Sequence, residues 1–436
     1  MIRLIKIGLL LLGCCSWGLA QEVKQLHTVE DALELAASKN PDLEVFKLQV
    51  KQSRVDMQAA KKHRLPTVNA SFSGQNNRSL ATTPLPGEIF GQPGEVVNAQ
   101  FGQPYNYNAG ITVSKSVLDM GNRVEAKVAT AAHDLQQLEQ GAYEQKLTYQ
   151  TAYYYYLLLI TNKATQLNQQ DTALMDSILA ISRQKREKGL INQTSFLQAK
   201  ILANTARENL SSSHARQQEY ALQLKLLLGQ SDHVQLQLEE ELDVQSINQV
   251  SAEMGQDQEL MTTKAEVELA DLRVRQSKTA FLPKLTLESY FGQQQFREEF
   301  GLSMRADDWS AYSYLGISLQ VPLFTGFKNK NNLKSAQLAA QIATKRFENQ
   351  EQTTAFQDKM LLQNFIASKD RVVFAEENFE LYQESVGLSL QQFEQGLIGL
   401  DEHLSKVEDL LKAEQHYLNA LTTFYSYYAT IRSRKS

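Results

Sequence analysis

Hydrophobic positions along the chain follow two different periods, which predicts long helices joined by a few strands. From Gly121 to Lys188 there is no proline, and apolar residues recur every three or four positions. A single helix of that length would extend for about 100 Å at 1.5 Å per residue. Because helical patterns much longer than about 25 residues are typical of coiled coils and repeats, we do not expect a compact globular domain.

Alternating apolar and polar residues predict strands in each half of the chain. Val68, Ala70 and Phe72 alternate with polar neighbours, and the same spacing begins again at Tyr105. The intervening residues, 74–104, are rich in Gly, Pro, Asn and Ser, which predicts a long exposed loop. The predicted strands cover about 67–75, 105–117, 284–292 and 312–322.

The same order of elements occurs twice, which indicates an internal repeat. Leu65-Pro66 precedes the first strand pair as Leu282-Pro283 precedes the second, and Gly189-Leu190-Ile191 returns as Gly396-Leu397-Ile398. We therefore expect a first repeat at 21–229, a connector at 230–257 and a second repeat at 258–436. The long helices are expected at 121–188 and 326–395, and their return helices at 193–228 and 400–431.

Two local sequence patterns mark the start of one helix and the buried face of another. Thr28 and Asp31 form a threonine-x-x-acid pattern that predicts a capping box at the start of the first helix. The last return helix carries apolar residues in steps of four and three, a heptad seam with a polar break at Glu414. The members of this seam are Leu400, Leu404, Val407, Leu411, Glu414, Leu418, Leu421, Tyr425 and Tyr428.

The first twenty residues read as a signal peptide. Arg3 and Lys6 precede an apolar run, and Gly18-Leu19-Ala20 provides a small-x-small cleavage site. An alternative is a lipoprotein box that would place an acyl group on Cys14. Cleavage after Ala20 would leave no cysteine, and therefore neither disulfides nor a cysteine metal site.

Composition argues against several classes of function. The formal net charge is −5 and the basic residues are dispersed, which argues against nucleic-acid binding. The seven histidines form no metal-binding motif, so we expect no metal and no cofactor. Because the sequence also lacks a phosphate-binding loop, a nucleophile elbow and a convincing catalytic dyad, we do not expect an enzyme.

Four amphipathic strands cannot form a closed sheet in a membrane. Every backbone polar group in lipid must be paired, and single-chain bacterial barrels begin at about eight strands. We therefore expect several chains to share one barrel. Tyrosines near the predicted strand ends are candidates for an aromatic girdle at the lipid interface. They are Tyr105, Tyr107, Tyr290, Tyr312 and Tyr314.

Together these features resemble the TolC-like outer-membrane efflux proteins, also called outer membrane factors. The resemblance is carried by the two Leu-Pro pairs, by Val321-Pro322-Leu323-Phe324-Thr325-Gly326 and by the two Gly-Leu-Ile turns. It implies a mainly α fold with a small membrane β-sheet, in which coiled-coil hairpins form an α-barrel. It also implies a homotrimer with four strands per chain in a shared twelve-stranded β-barrel.

The resemblance further implies an exit channel of a tripartite efflux or type I secretion system. Such a protein would lie in the outer membrane of a Gram-negative-type bacterium, in contact with its lipid, with the helices in the periplasm. Its partners would be a periplasmic adaptor and an inner-membrane pump. The sequence distinguishes neither the cargo nor the resting state of the gate. The alternative function is a non-channel coiled-coil scaffold or adhesin of the cell envelope, which would not need duplicated strands of membrane-crossing length.

The two Gly-Leu-Ile turns are the candidate functional sites. Gly189, Leu190 and Ile191, with Gly396, Leu397 and Ile398, are expected to reverse the hairpins and to receive the adaptor; the alternative is a plain helix cap. The resemblance implies a periplasmic gate of acidic residues just beyond, at Asp401 and Glu402, with Ser195 at the equivalent position of the first repeat. The alternative for the two acids is that they offset the dipole of the helix that they begin.

Overall fold

The computed structural model describes residues 23–91, 93–247 and 254–435. The predicted signal peptide and Cys14 lie outside these ranges. The described chain is mostly helical with a small sheet, so the predicted fold class is confirmed. The elements are β1 (Val23–Leu26), α1 (Val29–Lys39), α2 (Pro41–Lys61), β2 (Thr67–Asn76), β3 (Thr82–Pro86), β4 (Val96–Gln100), β5 (Tyr105–Leu118), α3 (Met120–Glu187), α4 (Gln193–Leu227), β6 (Gln235–Leu238), α5 (Gln258–Thr279), β7 (Lys284–Arg297), β8 (Ser310–Gln320), α6 (Lys328–Glu394) and α7 (Leu400–Ser433).

Two very long helices dominate the chain. Helix α3 has 68 residues and α6 has 67, and each is followed by a return helix of about half that length. No proline occurs between Pro104 and Pro283 or after Pro322, so nothing in the sequence forces a break. None of the described helices has an apolar stretch long enough to cross a membrane.

The start of α1 confirms the predicted capping box. The Asp31 backbone N–H donates to the Thr28 hydroxyl, and the Thr28 backbone N–H donates to the Asp31 carboxylate. Asn40 then begins α2 in a similar way, because its side-chain oxygen accepts from the Leu43 backbone N–H at 2.9 Å. The next residue, Pro41, is in the first turn of a helix, where its missing N–H costs nothing.

Four strands form one antiparallel sheet in the order β2-β5-β7-β8. Strand β7 is five residues longer than predicted, because its Gln-rich end (293–297) pairs with β5 and, as far as Gln294, with β8. Ladder pairing with the neighbouring strands therefore outweighs the weak strand preference of these residues. Strand β8 begins two residues before the predicted start and ends before Pro322, which cannot donate to a ladder.

Two pairs of short strands were not predicted. The expected loop at 74–104 contains the antiparallel pair of β3 and β4, and β1 pairs in parallel with β6. Strand β3 contains Pro84 and Pro86, which argue against a strand in a sequence. Strands β1 and β6 have four residues each, too few for a visible alternation.

The chain divides into two compact units, and α3 and α6 contribute residues to both. The helical unit holds the described residues of Met1–Lys47, Glu139–Gln258 and Gln352–Ser436. Its core includes the predicted seam of α7, where Leu404, Val407 and Leu421 are almost fully buried. The sheet unit holds those of Leu48–Leu138 and Glu259–Glu351, namely the four-stranded sheet, the β3–β4 pair and the adjoining helix segments.

Candidate functional site

Each long helix ends in a turn of the same geometry, which we call its tip. At the first tip, the N–H of Leu190 donates to the carbonyl of Lys185, and the N–H of Gly189 donates to that of Arg186, both at 2.9 Å. The second tip repeats both bonds with Leu397 and Gly396 as donors. These are Schellman motifs, which require a left-handed residue. The glycines supply it with φ of 71° and 74°, as the sequence predicted.

The tips expose one large apolar side chain each. Leu190 is 68% exposed and Leu397 is 71% exposed, whereas Ile191 and Ile398 pack against the core of the helical unit. The isoleucines therefore anchor the turns and the leucines remain available for contact. Adaptor docking at these six residues stays a prediction.

The return helices begin differently at the two tips. At α4, the Asn192 side chain accepts from the Ser195 backbone N–H at 2.8 Å and from its hydroxyl at 2.9 Å. Ser195 is buried by this arrangement. Its hydroxyl belongs to the helix cap, and its assignment to the gate stays a prediction.

At α7 the N-cap residue is Gly399, which offers no side-chain acceptor. Asp401 and Glu402 occupy the first turn and are exposed. Their carboxylates oppose the positive end of the helix dipole, so the alternative interpretation fits the structure. Both carboxylates are also free to line an opening, and the gate at Asp401 and Glu402 stays a prediction.

Behind these acids, His403 is completely buried. Its Nδ1 lies 2.8 Å from the Ser389 hydroxyl, which itself donates to the Val386 carbonyl, so the imidazole is the donor. The His403 ring stacks on Phe393 with the centroids 5.6 Å apart. Burial lowers the pKa of His403, because a charged imidazolium here would lose its hydration.

Cations cover the aromatic rings near the tips. The Lys185 Nζ lies 3.6 Å from the centroid of Phe393, and the Arg186 guanidinium lies 4.0 Å from that of Phe196. Each contact is a cation–π interaction worth roughly 0.5–1 kcal/mol at an exposed site. Because Lys185 belongs to α3 and Phe393 to α6, the first contact joins the two tips.

The structure also shows a buried pair of carboxyl groups that the sequence did not identify. Glu414, the polar break in the seam of α7, interacts electrostatically with Asp171 of α3. Both residues are almost fully buried. Burial, and then the nearby Asp171, raise the pKa of Glu414 to about 9, and burial also raises that of Asp171. Glu414 was visible as an anomaly in the seam, but nothing local marked Asp171.

The register of the sheet separates an apolar face from a polar face. Ile111 pairs with Phe291, and Leu287 pairs with Ile317, so these side chains share one face. This apolar face is largely exposed in the single chain; Leu315 and Ile317, for example, are 72% and 73% exposed. The opposite, polar face carries Thr67, Asn69, Ser71, Asn106, Asn108, Thr112, Thr286, Glu288, Gln294 and Ser318.

The girdle candidates are divided between the two faces. Tyr105 and Tyr107 lie on the apolar face, where the girdle prediction stays open. Tyr290, Tyr312 and Tyr314 lie on the polar face and form one cluster, with ring centroids 5.7–5.9 Å apart. Their girdle assignment stays a prediction, and their shared face separates them from Tyr105 and Tyr107.

A hydrogen bond and a pair of glycines hold the tyrosine cluster on the polar face in place. The Tyr314 hydroxyl donates to the Glu288 carboxylate at 3.2 Å. The Tyr290 ring covers the paired glycines Gly110 and Gly292, where an added Cβ would lie 2.5 Å from its hydroxyl. Both glycines therefore make room for the ring. In the described part of the chain, no group of His, Cys, Asp or Glu side chains could hold a metal ion.

Comparison with known proteins identifies the family. The family model described as outer membrane efflux protein matches residues 32–230 and 250–433, nearly all of the described chain in two segments. The chain belongs to the outer membrane efflux protein family. This is a family of transport channels in the outer membrane of Gram-negative bacteria, and the function and location expected from the sequence are confirmed at that level.

Curated relatives of this efflux protein are distant but extend over most of the chain. The outer membrane protein OprJ of Pseudomonas aeruginosa is 22% identical over 386 residues, covering 85% of this chain and 75% of OprJ. The toluene efflux pump outer membrane protein TtgI of Pseudomonas putida is 21% identical over 398 residues, covering 89% of this chain and 80% of TtgI.

Solved structures share the fold. The CmeC outer membrane channel of Campylobacter jejuni superimposes with a TM-score of 0.75 at 17% identity, over 93% of this chain and 85% of CmeC. The open state of the MtrE channel of Neisseria gonorrhoeae superimposes with a TM-score of 0.73 at 18% identity, over 93% of this chain and 88% of MtrE. At these identities the likeness concerns the arrangement of helices and strands.

Proposed function

We propose that three copies of this chain form an exit duct, which carries cargo from an inner-membrane pump across the periplasm and the outer membrane. The observation that carries the proposal is the two-faced sheet with two open edges. Strands β2 and β8 each have a single neighbour in the chain. A sheet with an exposed apolar face in lipid must pair these edges, and another copy of the same chain offers the matching edge.

Joining β8 of one copy to β2 of the next extends the sheet by four strands per copy. Three copies give twelve strands, a size within the range of known outer-membrane barrels. The apolar face then contacts lipid, and the polar face lines a water-filled duct. The tyrosine cluster with Glu288 would form part of the lining of that duct.

The tips supply the contacts with partners. Leu190 and Leu397 offer exposed apolar groups at the turns, and Asp401 and Glu402 add negative charge beside the second turn. An apolar centre with a polar rim is the usual anatomy of a protein interface. We propose that a periplasmic adaptor docks here and joins the duct to the pump, and that Asp401 and Glu402 form the gate. TtgI is named for toluene efflux, which supports a cargo of small organic molecules.

The proposal is tested by joining the sheet edges of neighbouring copies. One cysteine is placed in β2, at Asn69→Cys, and a second is moved along β8 from Ser313→Cys to Ser318→Cys, in protein purified without its first twenty residues. A short bifunctional maleimide should produce covalent dimers and trimers at one register. The matched control places both cysteines in the neighbouring strands β5 and β7, at Thr112→Cys and Glu288→Cys, and should give monomers only.

Function is measured in the same preparation. Light scattering should report a trimer in detergent, and planar bilayers should show steady single-channel currents. A monomer or dimer without conductance would contradict the duct and would favour the scaffold. A conducting assembly without crosslinks at any β8 position would contradict the proposed joining of edges.

A further inference from the structure

The sheet unit contains a basic cleft at the end of the sheet where the strands continue into helices. The end of α2, the end of β5 and the beginning of α3 enclose an open space of about 580 Å³. Four cationic side chains line it: Lys61, Arg64, Lys115 and Arg123. We call this space the junction cleft.

The charge of the junction cleft is not neutralised by its acidic neighbours. Asp119, which also lines it, has its carboxylate 3.3 Å from Lys284. Glu125 lies 3.8 Å from the ring of His63. Within the described ranges, no ion pair joins any of the four cations to an acid. Four unpaired positive charges in a chain of net charge −5 indicate an anionic ligand.

The position of Lys115 indicates what kind of anion this is. Lys115 pairs with Leu287 across the sheet and therefore lies on the apolar face, one pleat beyond Val113. Leu65 and Val117, beside the cleft, are exposed apolar residues. A ligand in the cleft contacts apolar side chains on one side and ammonium and guanidinium groups on the other. An amphiphile, with an apolar part and an anionic part, matches both sets of contacts.

We propose that the junction cleft binds the phosphate headgroup of an anionic phospholipid in the periplasmic leaflet of the outer membrane. This rests on the proposed function, in which the sheet crosses the membrane and the helices leave it on the periplasmic side. The end of the sheet that bears the cleft then lies at the level of the periplasmic headgroups. Basic residues at that level attract anionic lipid, by roughly a factor of five in affinity per charge.

The second repeat provides an internal comparison. Phe281 stands before Leu282-Pro283 where Arg64 stands before Leu65-Pro66. Gln320 precedes Thr325-Gly326 by the same interval at which Lys115 precedes Met120-Gly121. The second repeat thus lacks both charges on the membrane side. A non-specific preference for basic residues at the interface would have placed them in both repeats.

The test compares lipids with different headgroups on the purified trimer. Short-chain phosphatidylglycerol is added in detergent and the thermal midpoint is followed by intrinsic fluorescence; short-chain phosphatidylcholine and inorganic phosphate are added in parallel. Phosphatidylglycerol should raise the midpoint of the wild type clearly more than either alternative. Native mass spectrometry should count three tightly bound phosphatidylglycerol molecules per trimer.

The variant Lys115→Gln/Arg123→Gln should bind phosphatidylglycerol about twenty-five-fold more weakly, from two charges at roughly five-fold each. Its matched control, Lys328→Gln/Lys334→Gln at the exposed start of α6, removes the same charge outside the cleft and should bind like the wild type. If the double variant fails to assemble, Lys115→Gln alone is used, because that side chain is exposed.

Three results would overturn the proposal: equal stabilisation by phosphatidylcholine, equal stabilisation by inorganic phosphate, or unchanged lipid binding by the cleft variant. The first would indicate a response to acyl chains only, and the second a site for free anions. Failure of the duct is distinguishable, since it would appear as a missing trimer or missing conductance in wild-type protein. Wild-type protein that conducts normally but shows no preference for phosphatidylglycerol would contradict the cleft alone.

Discussion

The buried pair of Glu414 and Asp171 makes the stability of the helical unit depend on pH. In the folded protein the raised pKa of Glu414, about 9, keeps its carboxyl protonated at neutral pH, because its anion would be buried beside Asp171. In the unfolded chain the same carboxyl ionises near its ordinary pKa of about 4.3. At pH values between these two pKa values, the folded state binds one more proton than the unfolded state.

The sign of the effect follows from this difference in bound protons. The stabilisation by the pair is fully present below a pH of about 4.3 and is lost as the pH rises through the folded pKa. Each pH unit in that window lowers the free energy of unfolding by about 1.4 kcal/mol. A rise from a pH of about 6 to about 8 should therefore cost on the order of 3 kcal/mol from this group.

The variant Glu414→Gln removes the ionisable carboxyl and so isolates its contribution to the pH dependence of stability. The amide is uncharged, like the protonated carboxyl, so the variant should be about as stable as the wild type near a pH of 6 and more stable near 8. Thermal midpoints at fixed protein concentration, recorded by circular dichroism, measure the slope. The control is Glu408→Gln on the same helix, whose partner Lys412 is exposed and whose surface ion pair contributes little. Parallel loss of stability in the wild type and Glu414→Gln between these two pH values would refute the reasoning.

Three further outcomes are expected. Thr28→Ala removes the cap of α1 and should lower the free energy of unfolding by about 1 kcal/mol in denaturant titrations, whereas Ser38→Ala should change it little. Glu402→Ala should weaken the cation preference of single channels, and an unchanged current would leave the acid with a dipole role only. Because burial lowers the pKa of His403, the second tip should be stable above a pH of about 6.5 and loosen as the pH falls below it. Hydrogen exchange near Ser389 should show this, and His403→Gln should remove it.

Much of the helical architecture could be predicted because its signals are local and repeated. The apolar spacing of α3 continues for many turns without proline, and the heptad seam of α7 shows directly which of its faces is buried. The tip glycines were also predictable, since a left-handed residue after a helix strongly favours glycine. Each of these features depends on residues close together in the sequence.

Features that depend on pairing between distant segments could not be predicted. Alternation along β7 shows that Tyr290 and Phe291 lie on opposite faces, but only the register shows which face Tyr290 shares with Tyr312 and Tyr314. Strand β3 is another example, because a pairing with β4 overrides its two prolines. Asp171 likewise becomes significant only through Glu414, which belongs to a different helix.

The two repeats share a scaffold but differ in chemistry at both ends, and this difference determines what a threefold assembly can present. At the tips the turns are the same, yet α4 is capped by Asn192 and Ser195 whereas α7 begins with Asp401 and Glu402. A trimer would therefore alternate uncharged and acidic helix starts and place three Glu402 carboxylates, not six, around the opening. These three carboxylates would give the opening a negative charge that attracts cations. At the sheet, the second repeat has Phe281 and Gln320 where the first has Arg64 and Lys115, so the same trimer would contain three junction clefts. With two repeats per chain, a trimer would have six equivalent positions at the tips and six at the sheet. The sequence differences between the repeats divide each six into two sets of three.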